Sequence, residues 1–145
     1  LKPYVESGIT TVNLCDTIGI ANPAQVRQTI QAMKSEYPSV DMQIHIHDTR
    51  NMGMVNTLAA IQLGVDKVQS TLGGLGGCPF APGASGNLAT EDLAFMLSEM
   101  GYDPEVNVGQ LIKLAKYQAS AIPSGQFSGH LYMIQDEKES QSYGE

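Results

Sequence analysis

The fold is decided by residues 10–48, TTVNLCDTIGIANPAQVRQTIQAMKSEYPSVDMQIHIHD, in which one helical segment separates two β-rich segments. The first β segment runs from Thr10 to Asp16, and the second, Met42 to Asp48, alternates apolar and polar side chains. Asn22-Pro23 is typical of a helix start, with Asn as the N-cap and Pro at the first helical position. Both β segments end in Asp-Thr, 32 residues apart. This spacing predicts parallel strands joined by right-handed crossovers.

The alternation of strands and helices continues beyond this stretch. The periodicity predicts a helix from Val55 that stops at Gly64, a strand from Lys67 to Leu72, a helix capped by Thr90 and ended by Gly101, and a helix from Val108 to Ser120. Polar residues cluster at strand ends, as in (β/α)8 barrels and in doubly wound sheets. Three strands cannot close a barrel, and the chain starts without Met on what resembles a helix end. We therefore interpret it as a piece of a longer polypeptide.

Composition limits the possible partners. The chain has 145 residues, of which 42% are hydrophobic and 16% charged, values typical of a globular domain. A net charge of −7, with 8 basic residues that form no cluster, argues against nucleic acid or an anionic membrane as a partner. No apolar run approaches the roughly 20 residues of a membrane helix. Two cysteines, Cys15 and Cys78, make no disulfide framework and favour a reducing compartment.

The segment from Gly73 to Asp92 carries six glycines and two prolines, so it cannot be the interior of a helix or strand. Long loops of this kind are usually functional, and its glycines predict a mobile lid from Gly73 to Gly86. It is no P-loop, because no Gly-Lys-Ser/Thr follows. Pro79 stands where the helix of a dinucleotide fingerprint would begin, which argues against that motif as well.

His45 and His47 lie two residues apart on the second strand, so both imidazoles project from one face. The pair is a sensible platform for a metal ion, although one histidine packed in the core and one at the surface would give the same pattern. Asp48 points the other way and is expected to orient a ligand or cap a helix. His130 has no evident partner and is expected at the surface.

Three further residues are candidates for the site. Asn87, at the end of the glycine loop, offers an amide oxygen that suits Mg²⁺ or Mn²⁺, although alone it would pass for a turn residue. Cys78 can be delivered by its loop as an acid or base, or be an inert small hydrophobe, the role we assign to Cys15. Asp16, at a strand end, is either a site residue or a local cap.

Three stretches resemble the signature motifs of the hydroxymethylglutaryl-CoA lyases. They are Cys15-Asp16-Thr17-Ile18-Gly19, His45-Ile46-His47-Asp48-Thr49, and the loop that contains Gly74-Leu75-Gly76-Gly77-Cys78-Pro79, Gly86-Asn87 and Ala89-Thr90-Glu91-Asp92. The resemblance covers roughly Val5 to Gly101, in the family's order and spacing. It implies the carboxy-terminal part of a (β/α)8 TIM barrel, about three βα units plus C-terminal helices, with a lyase domain over residues 1–122 and an acidic extension over 123–145.

The resemblance also implies a site and a reaction. His45, His47 and Asn87 would hold Mg²⁺ or Mn²⁺ with an Asp from the first barrel strand, and Cys78 would be the acid/base, with Asp16 in the same site. The reaction is cleavage of 3-hydroxy-3-methylglutaryl-CoA, or a close 3-hydroxy-3-alkylglutaryl-CoA, to acetyl-CoA and a 3-keto acid, as in leucine catabolism and ketone-body formation. Gly76 and Gly77 belong to the substrate loop.

Departures from the family pattern define what else is expected. Arg50 follows His-Asp-Thr where the animal enzymes have Tyr-Gly-Gln, so it is a candidate contact for the acyl-CoA. The family's early Arg-Asp motif is not in the chain. We therefore expect no activity from this chain alone, and either self-association into a homo-oligomer or pairing with the remainder of the barrel. The resemblance implies a bacterial cytoplasm, or the mitochondrial matrix in a eukaryote.

Two alternatives stay open. Related Claisen-type synthases and aldolases, of the isopropylmalate, homocitrate or 4-hydroxy-2-oxovalerate type, share the two histidines and a later Gly-Asn but lack Gly-Gly-Cys-Pro. The chain could also be a non-catalytic fragment that packs with itself to bury its open edges.

Overall fold

Three parallel strands and their connecting helices make up the first part of the chain in the computed structural model, which describes residues 1–77 and 86–134. The chain divides into two compact units, Leu1–Gln69 and Ser70–Glu145. The elements of the first unit are, in order, α1 (Lys2–Glu6), β1 (Thr11–Asp16), α2 (Pro23–Glu36), β2 (Asp41–Ile46), α3 (Gly53–Ile61) and β3 (Lys67–Gln69). The strands pair in the order β1-β2-β3, which confirms the predicted parallel βα repeat.

The central strand β2 separates an apolar face from a polar one. Met42, Ile44 and Ile46 are buried, and they share one core with residues of α2 and α3. The alternate residues Gln43 and His45 lie on the opposite face, where they are only partly buried. The period of two that the sequence predicts for a half-buried strand is therefore confirmed, and it fixes which face carries the histidines.

Local signals set the helix starts in the first unit. The Asn22 side chain accepts a hydrogen bond from the backbone N–H of Gln25 at 3.0 Å, and the Gln25 side chain accepts one from the backbone N–H of Asn22 at 3.0 Å. This reciprocal capping box begins α2 where the sequence predicts. At the start of α3, the Asp48 carboxylate accepts a bond from the backbone N–H of Gly53 at 2.6 Å, which confirms its predicted capping role.

The second unit packs two helices, α4 (Thr90–Glu99) and α5 (Val108–Ala121), around a small core of Ala94, Val108, Ile112 and Leu131. Short 3₁₀ turns occupy Leu72–Gly74 and Leu131–Met133. The predicted strand from Lys67 to Leu72 is too long, since β3 ends at Gln69 and a 3₁₀ turn begins at Leu72. Thr90 does not cap α4: it is the first helical residue, and its hydroxyl pairs with that of Ser70 at 2.9 Å. The domain boundary predicted at residue 122 stays a prediction. No helix within the described ranges combines the length and apolar character needed to span a bilayer.

A buried carboxyl group fixes the turn that starts the glycine loop. Glu91 is 0% exposed, and its Oε2 accepts a hydrogen bond from the backbone N–H of Gly73 at 2.9 Å. Its Oε1 has no hydrogen-bond partner among the described residues. Burial raises the pKa of Glu91 because the charged form loses its hydration, and the Gly73 N–H opposes this only in part. Gly73 itself has φ +66°, a backbone conformation that favours glycine.

Truncation of a buried side chain of β2 should lower the free energy of unfolding. Ile44 is 1% exposed at the centre of the first unit's core. Ile44→Ala should lower the free energy of unfolding by about 2 to 5 kcal/mol, through lost burial and a residual cavity. Val55→Ala, at a position 49% exposed on α3, should cost about 0.5 kcal/mol or less. Urea unfolding of both variants checks the comparison, and equal losses would contradict the assigned core.

Glu91 should make stability depend on pH in a defined direction. A carboxyl group whose pKa is raised in the folded state destabilises that state when it is ionised, so its contribution is most favourable below the ordinary value of 4.5 and is lost as pH rises through the raised pKa. The unfolding free energy of the wild type relative to Glu91→Gln should therefore increase as pH falls.

The matched control is Glu99→Gln, at the exposed C-terminal end of the same helix. It makes the same chemical change at a position without burial, which is the cause assigned to the effect at Glu91. Urea unfolding at several pH values between about 4 and 8 measures both differences. A pH-independent difference for Glu91→Gln would show that the carboxyl is not ionised at a cost in the folded state.

Candidate active site

The two histidines of β2 meet at their ring nitrogens. His45 is the fifth residue of β2 and His47 follows the strand, where its backbone N–H donates to the Asp16 carbonyl at 3.2 Å. The Nε2 atoms of the two rings lie 3.1 Å apart, and the rings stand edge to face at 64°. His47 is 8% exposed and His45 is partly buried. The structure thus brings together the two residues that the sequence placed on one face.

This geometry fits a divalent cation. Two adjacent nitrogen ligands of an octahedral ion with bonds of about 2.1 Å are about 3.0 Å apart, close to the observed separation. Both Nε2 atoms can present lone pairs when each ring carries its proton on Nδ1. Both Nδ1 atoms are buried, and neither has a hydrogen-bond partner among the described residues. The groups that normally orient metal-bound histidines are therefore not found in the part of the chain that the structure describes.

The electrostatics of the pair favour a neutral His45 ring. Burial lowers the pKa of His45 because the imidazolium form loses hydration, and the neighbouring His47 lowers it further by charge repulsion. A neutral imidazole is the form that binds metal. Among the described residues, no three or more His, Cys, Asp or Glu side chains form a group that could hold a metal ion. The histidine pair is thus a two-ligand platform within its own unit.

Asn87 belongs to the second unit, where only one end of its side-chain amide has a hydrogen-bond partner. Nδ2 donates to the Leu75 carbonyl at 3.1 Å, while Oδ1 is buried without a hydrogen-bond partner among the described residues. A buried, unpartnered carbonyl oxygen carries a desolvation cost that a cation would remove. Its chemistry therefore fits the predicted ligand role, and its joining the histidines at one ion stays a prediction.

Asp16 and Arg50 both contact the loop that follows β1. The Asp16 carboxylate accepts hydrogen bonds from the backbone N–H groups of Ile20 and Ala21, at 3.1 and 2.9 Å. Arg50 donates from Nη1 to the Gly19 carbonyl at 3.3 Å and is exposed. In this structure Asp16 acts as the local cap that we considered beside a catalytic role. Its direct part in chemistry, and a substrate contact by Arg50, stay predictions.

Backbone hydrogen bonds hold the start of the glycine loop, and the mobile lid predicted from Gly73 to Gly86 stays a prediction, since residues 78–85 lie outside the described residues. The Gly76 N–H donates to the Gln126 carbonyl at 3.0 Å, and the Gly129 N–H donates to the Gly73 carbonyl at 3.0 Å. A Cβ on Gly76, whose φ is +138°, would lie 2.6 Å from Nδ2 of Asn87, and one on Gly77 would collide with the Gln126 side chain. The φ of Gly76 therefore favours glycine at that position. Cys78 lies outside the described residues.

Sequence reasoning missed two acidic side chains of the helix start. We expected Glu91 and Asp92 only to favour the dipole of α4, yet Glu91 holds Gly73. Asp92 accepts hydrogen bonds from the backbone N–H groups of His130 and Leu131, at 2.8 and 2.9 Å. His130, predicted to lack a partner, also places Nδ1 3.0 Å from the Asp92 carboxylate, although its side chain is 71% exposed. Two adjacent acidic residues after a glycine loop were the available signal.

This chain is similar in sequence to hydroxymethylglutaryl-CoA lyases from bacteria and from mitochondria. A hydroxymethylglutaryl-CoA lyase of Bacillus subtilis is 44% identical over 112 residues, which cover 77% of this chain and 38% of that protein. The mitochondrial hydroxymethylglutaryl-CoA lyase of Homo sapiens is 40% identical over 121 residues, covering 83% of this chain and 37% of that protein. The chain thus spans well under half the length of these relatives.

Structural comparison gives the same result. The HMG-CoA lyase from Acinetobacter baumannii, solved in complex with coenzyme A and 3-methylmalate, superposes with a TM-score of 0.84 at 37% identity. The match covers 95% of this chain and 45% of that one. The family model described as HMGL-like matches residues 1–117. The chain therefore belongs to the HMGL-like family and has the fold of part of a TIM-barrel hydroxymethylglutaryl-CoA lyase.

Proposed function

We propose that this chain supplies part of the active site of a divalent-metal-dependent lyase. The substrate is 3-hydroxy-3-methylglutaryl-CoA, or a close 3-hydroxy-3-alkylglutaryl-CoA, and the products are acetyl-CoA and a 3-keto acid. The observation that carries the proposal is the 3.1 Å approach of the Nε2 atoms of His45 and His47, in a chain of the HMGL-like family.

Three residues of the chain are proposed to hold the ion. His45 and His47 provide two imidazole nitrogens, and Asn87 provides the carbonyl oxygen that has no other partner in the described residues. A mixed nitrogen and oxygen set of this kind suits Mg²⁺ or Mn²⁺, with a carboxylate from elsewhere in the barrel. When bound, the cation would polarise the hydroxyl oxygen of the substrate, which becomes the ketone oxygen of the 3-keto acid.

Proton transfer is assigned to Cys78. It follows Gly76-Gly77 in the sequence, and the Gly76 N–H donates to the Gln126 carbonyl at 3.0 Å. The Cys78 thiol is proposed to give or take the proton when the carbon–carbon bond breaks. Asp16 supports the same site by holding the loop after β1, and exposed Arg50 beside it is proposed to contact the acyl-CoA.

The reaction is proposed for a complete barrel. A (β/α)8 barrel needs eight strands, and the sheet described here has three. The other strands come from the same polypeptide or from another chain, and without them we expect no turnover. Coenzyme A in the Acinetobacter baumannii structure supports an acyl-CoA substrate for this chain. Relatives from a bacterium and from mitochondria support the bacterial cytoplasm or the mitochondrial matrix as its compartment.

Removal of either histidine should release the metal. In the intact barrel, His45→Ala and His47→Ala should each weaken Mn²⁺ binding by about a hundredfold or more, beyond the range seen for lost orienting groups, and should abolish metal-dependent turnover. Titration calorimetry with Mn²⁺ measures the affinity. His130→Ala, which removes an exposed histidine of the second unit, should leave Mn²⁺ affinity unchanged. Unaltered Mn²⁺ binding by His45→Ala would refute the site.

Replacement of the loop cysteine should slow the reaction without loss of the fold. Cys78→Ser should reduce kcat by about a hundredfold or more, the usual scale for a lost acid or base, while Mn²⁺ affinity is kept. Ser120→Ala is the control, because it removes an exposed hydroxyl of α5 that is assigned no chemistry, and it should leave kcat nearly unchanged. Steady-state rates with the acyl-CoA decide the point. A near-normal kcat for Cys78→Ser would assign the proton transfer to another group.

A further inference from the structure

A second polar cluster lies on the histidine-bearing face of the sheet, and the proposed chemistry does not use it. Each strand contributes one carboxamide: Asn13 from β1, Gln43 from β2 and Gln69 from β3. Asn13 Nδ2 donates to Gln69 Oε1 at 3.0 Å, and Gln69 Nε2 donates to Gln43 Oε1 at 3.3 Å. These bonds link all three strands, and we call the three residues the carboxamide cluster.

The carboxamide cluster faces away from the connecting helices. The opposite face of β2 is buried with residues of α2 and α3 in the core. In a (β/α)8 barrel the helices lie outside, so the face with the carboxamide cluster lies inside. Barrel interiors are usually filled by bulky branched apolar side chains, whereas this face carries polar ones. An interior of this kind is suited to a polar ligand.

The hydrogen-bonding capacity of the carboxamide cluster favours an anion. Each carboxamide brings two N–H donors, and the two bonds within the cluster leave four N–H groups without a partner among the described residues, whichever way each amide is turned. A carboxylate only accepts hydrogen bonds and offers several acceptor positions. Lys67 and Asp41, nearby on the same face, form an ion pair with each other, so recognition at the carboxamide cluster depends on neutral donors.

The position of the carboxamide cluster relative to the histidines indicates which part of a substrate it meets. Gln69 lies opposite His45 in the sheet register, while Asn13 and Gln43 lie opposite each other two residues earlier. Two residues correspond to about 6.7 Å along a strand, and substrates enter barrels at the C-terminal ends of the strands. The carboxamide cluster is therefore deeper than the histidines, within reach of a short acyl chain whose hydroxyl group lies beside them.

We propose that the carboxamide cluster binds the free terminal carboxylate of the acyl group, at the end remote from coenzyme A. It would thereby select dicarboxylic acyl groups over monocarboxylic ones. This specificity role rests on the proposed function, because it places the hydroxyl group of the substrate at His45 and His47.

The test compares two coenzyme A thioesters that differ in that carboxylate. Binding of the monothioesters of 3-hydroxyglutarate and of 3-hydroxybutyrate, named below by their acids, to the Mn²⁺-loaded intact barrel is measured by titration calorimetry. Gln43→Met and Gln69→Met should each weaken 3-hydroxyglutarate binding by about tenfold or more, the scale of a lost hydrogen bond to a charged group. Binding of 3-hydroxybutyrate should change by less than about twofold, since no charged hydrogen bond is lost there.

Two more variants sharpen the result. Gln69→Glu is nearly isosteric and should weaken the binding of 3-hydroxyglutarate more than Gln69→Met does, because it places a negative charge next to the negatively charged ligand. Gln31→Met, an exposed glutamine of α2, should affect neither acid. Mn²⁺ affinity serves as the check that each variant is folded.

The outcomes separate this inference from the proposed function. Equal weakening of both acids, or none, in variants that still bind Mn²⁺ would overturn the carboxylate site while the lyase assignment stands. Failure of the wild-type barrel to bind Mn²⁺ would overturn the proposed function itself. Selective loss of 3-hydroxyglutarate binding would establish the carboxamide cluster as the determinant of specificity.

Discussion

The alternation of side chains along β2 is the constraint on which the first unit depends. Ile44, 1% exposed, and its apolar neighbours on the strand join α2 and α3 in one core. The same period of two turns Gln43 and His45 to the other face, so burial of one set of side chains also orients the histidine and the other polar side chains. A register slip of one residue would exchange the two faces, and packing therefore protects the site geometry.

The outer strands of the sheet show why the fold requires more than three strands. β1 and β3 each pair with β2 alone among the described residues, and parallel sheets are normally covered on both faces and paired along their edges. Beside β1 lies a groove of about 720 Å³, lined by residues of α1, β1 and α2 that include Tyr4, Val12 and Met33. An apolar groove beside an unpaired strand is the place that the neighbouring βα unit of a barrel would fill.

The sequence predicted elements well where short-range chemistry decides them. The N-cap at Asn22, the alternation of β2 and the cap at Asp48 all depend on residues within a few positions of each other. Prediction from the sequence failed where a residue's role depends on a distant partner. Glu91 accepts a hydrogen bond from Gly73, 18 residues away, and Asp92 accepts one from the backbone of His130, 38 residues away. For the same reason the anchoring of Gly76 by Gln126 could not be read from the glycines themselves.

Some residues of the candidate site could be predicted from the sequence, and others could not. The histidine pair was predictable, because two residues on one strand face meet wherever that strand is placed. Asp16 was ambiguous in the sequence, because a carboxylate at a strand end serves equally as a cap or as a site residue, and its two backbone bonds show the cap. These roles are compatible: a carboxylate that orders the loop after β1 also fixes the carbonyl of Gly19 that Arg50 contacts. Local capping thereby holds the groups that we propose to meet the acyl-CoA.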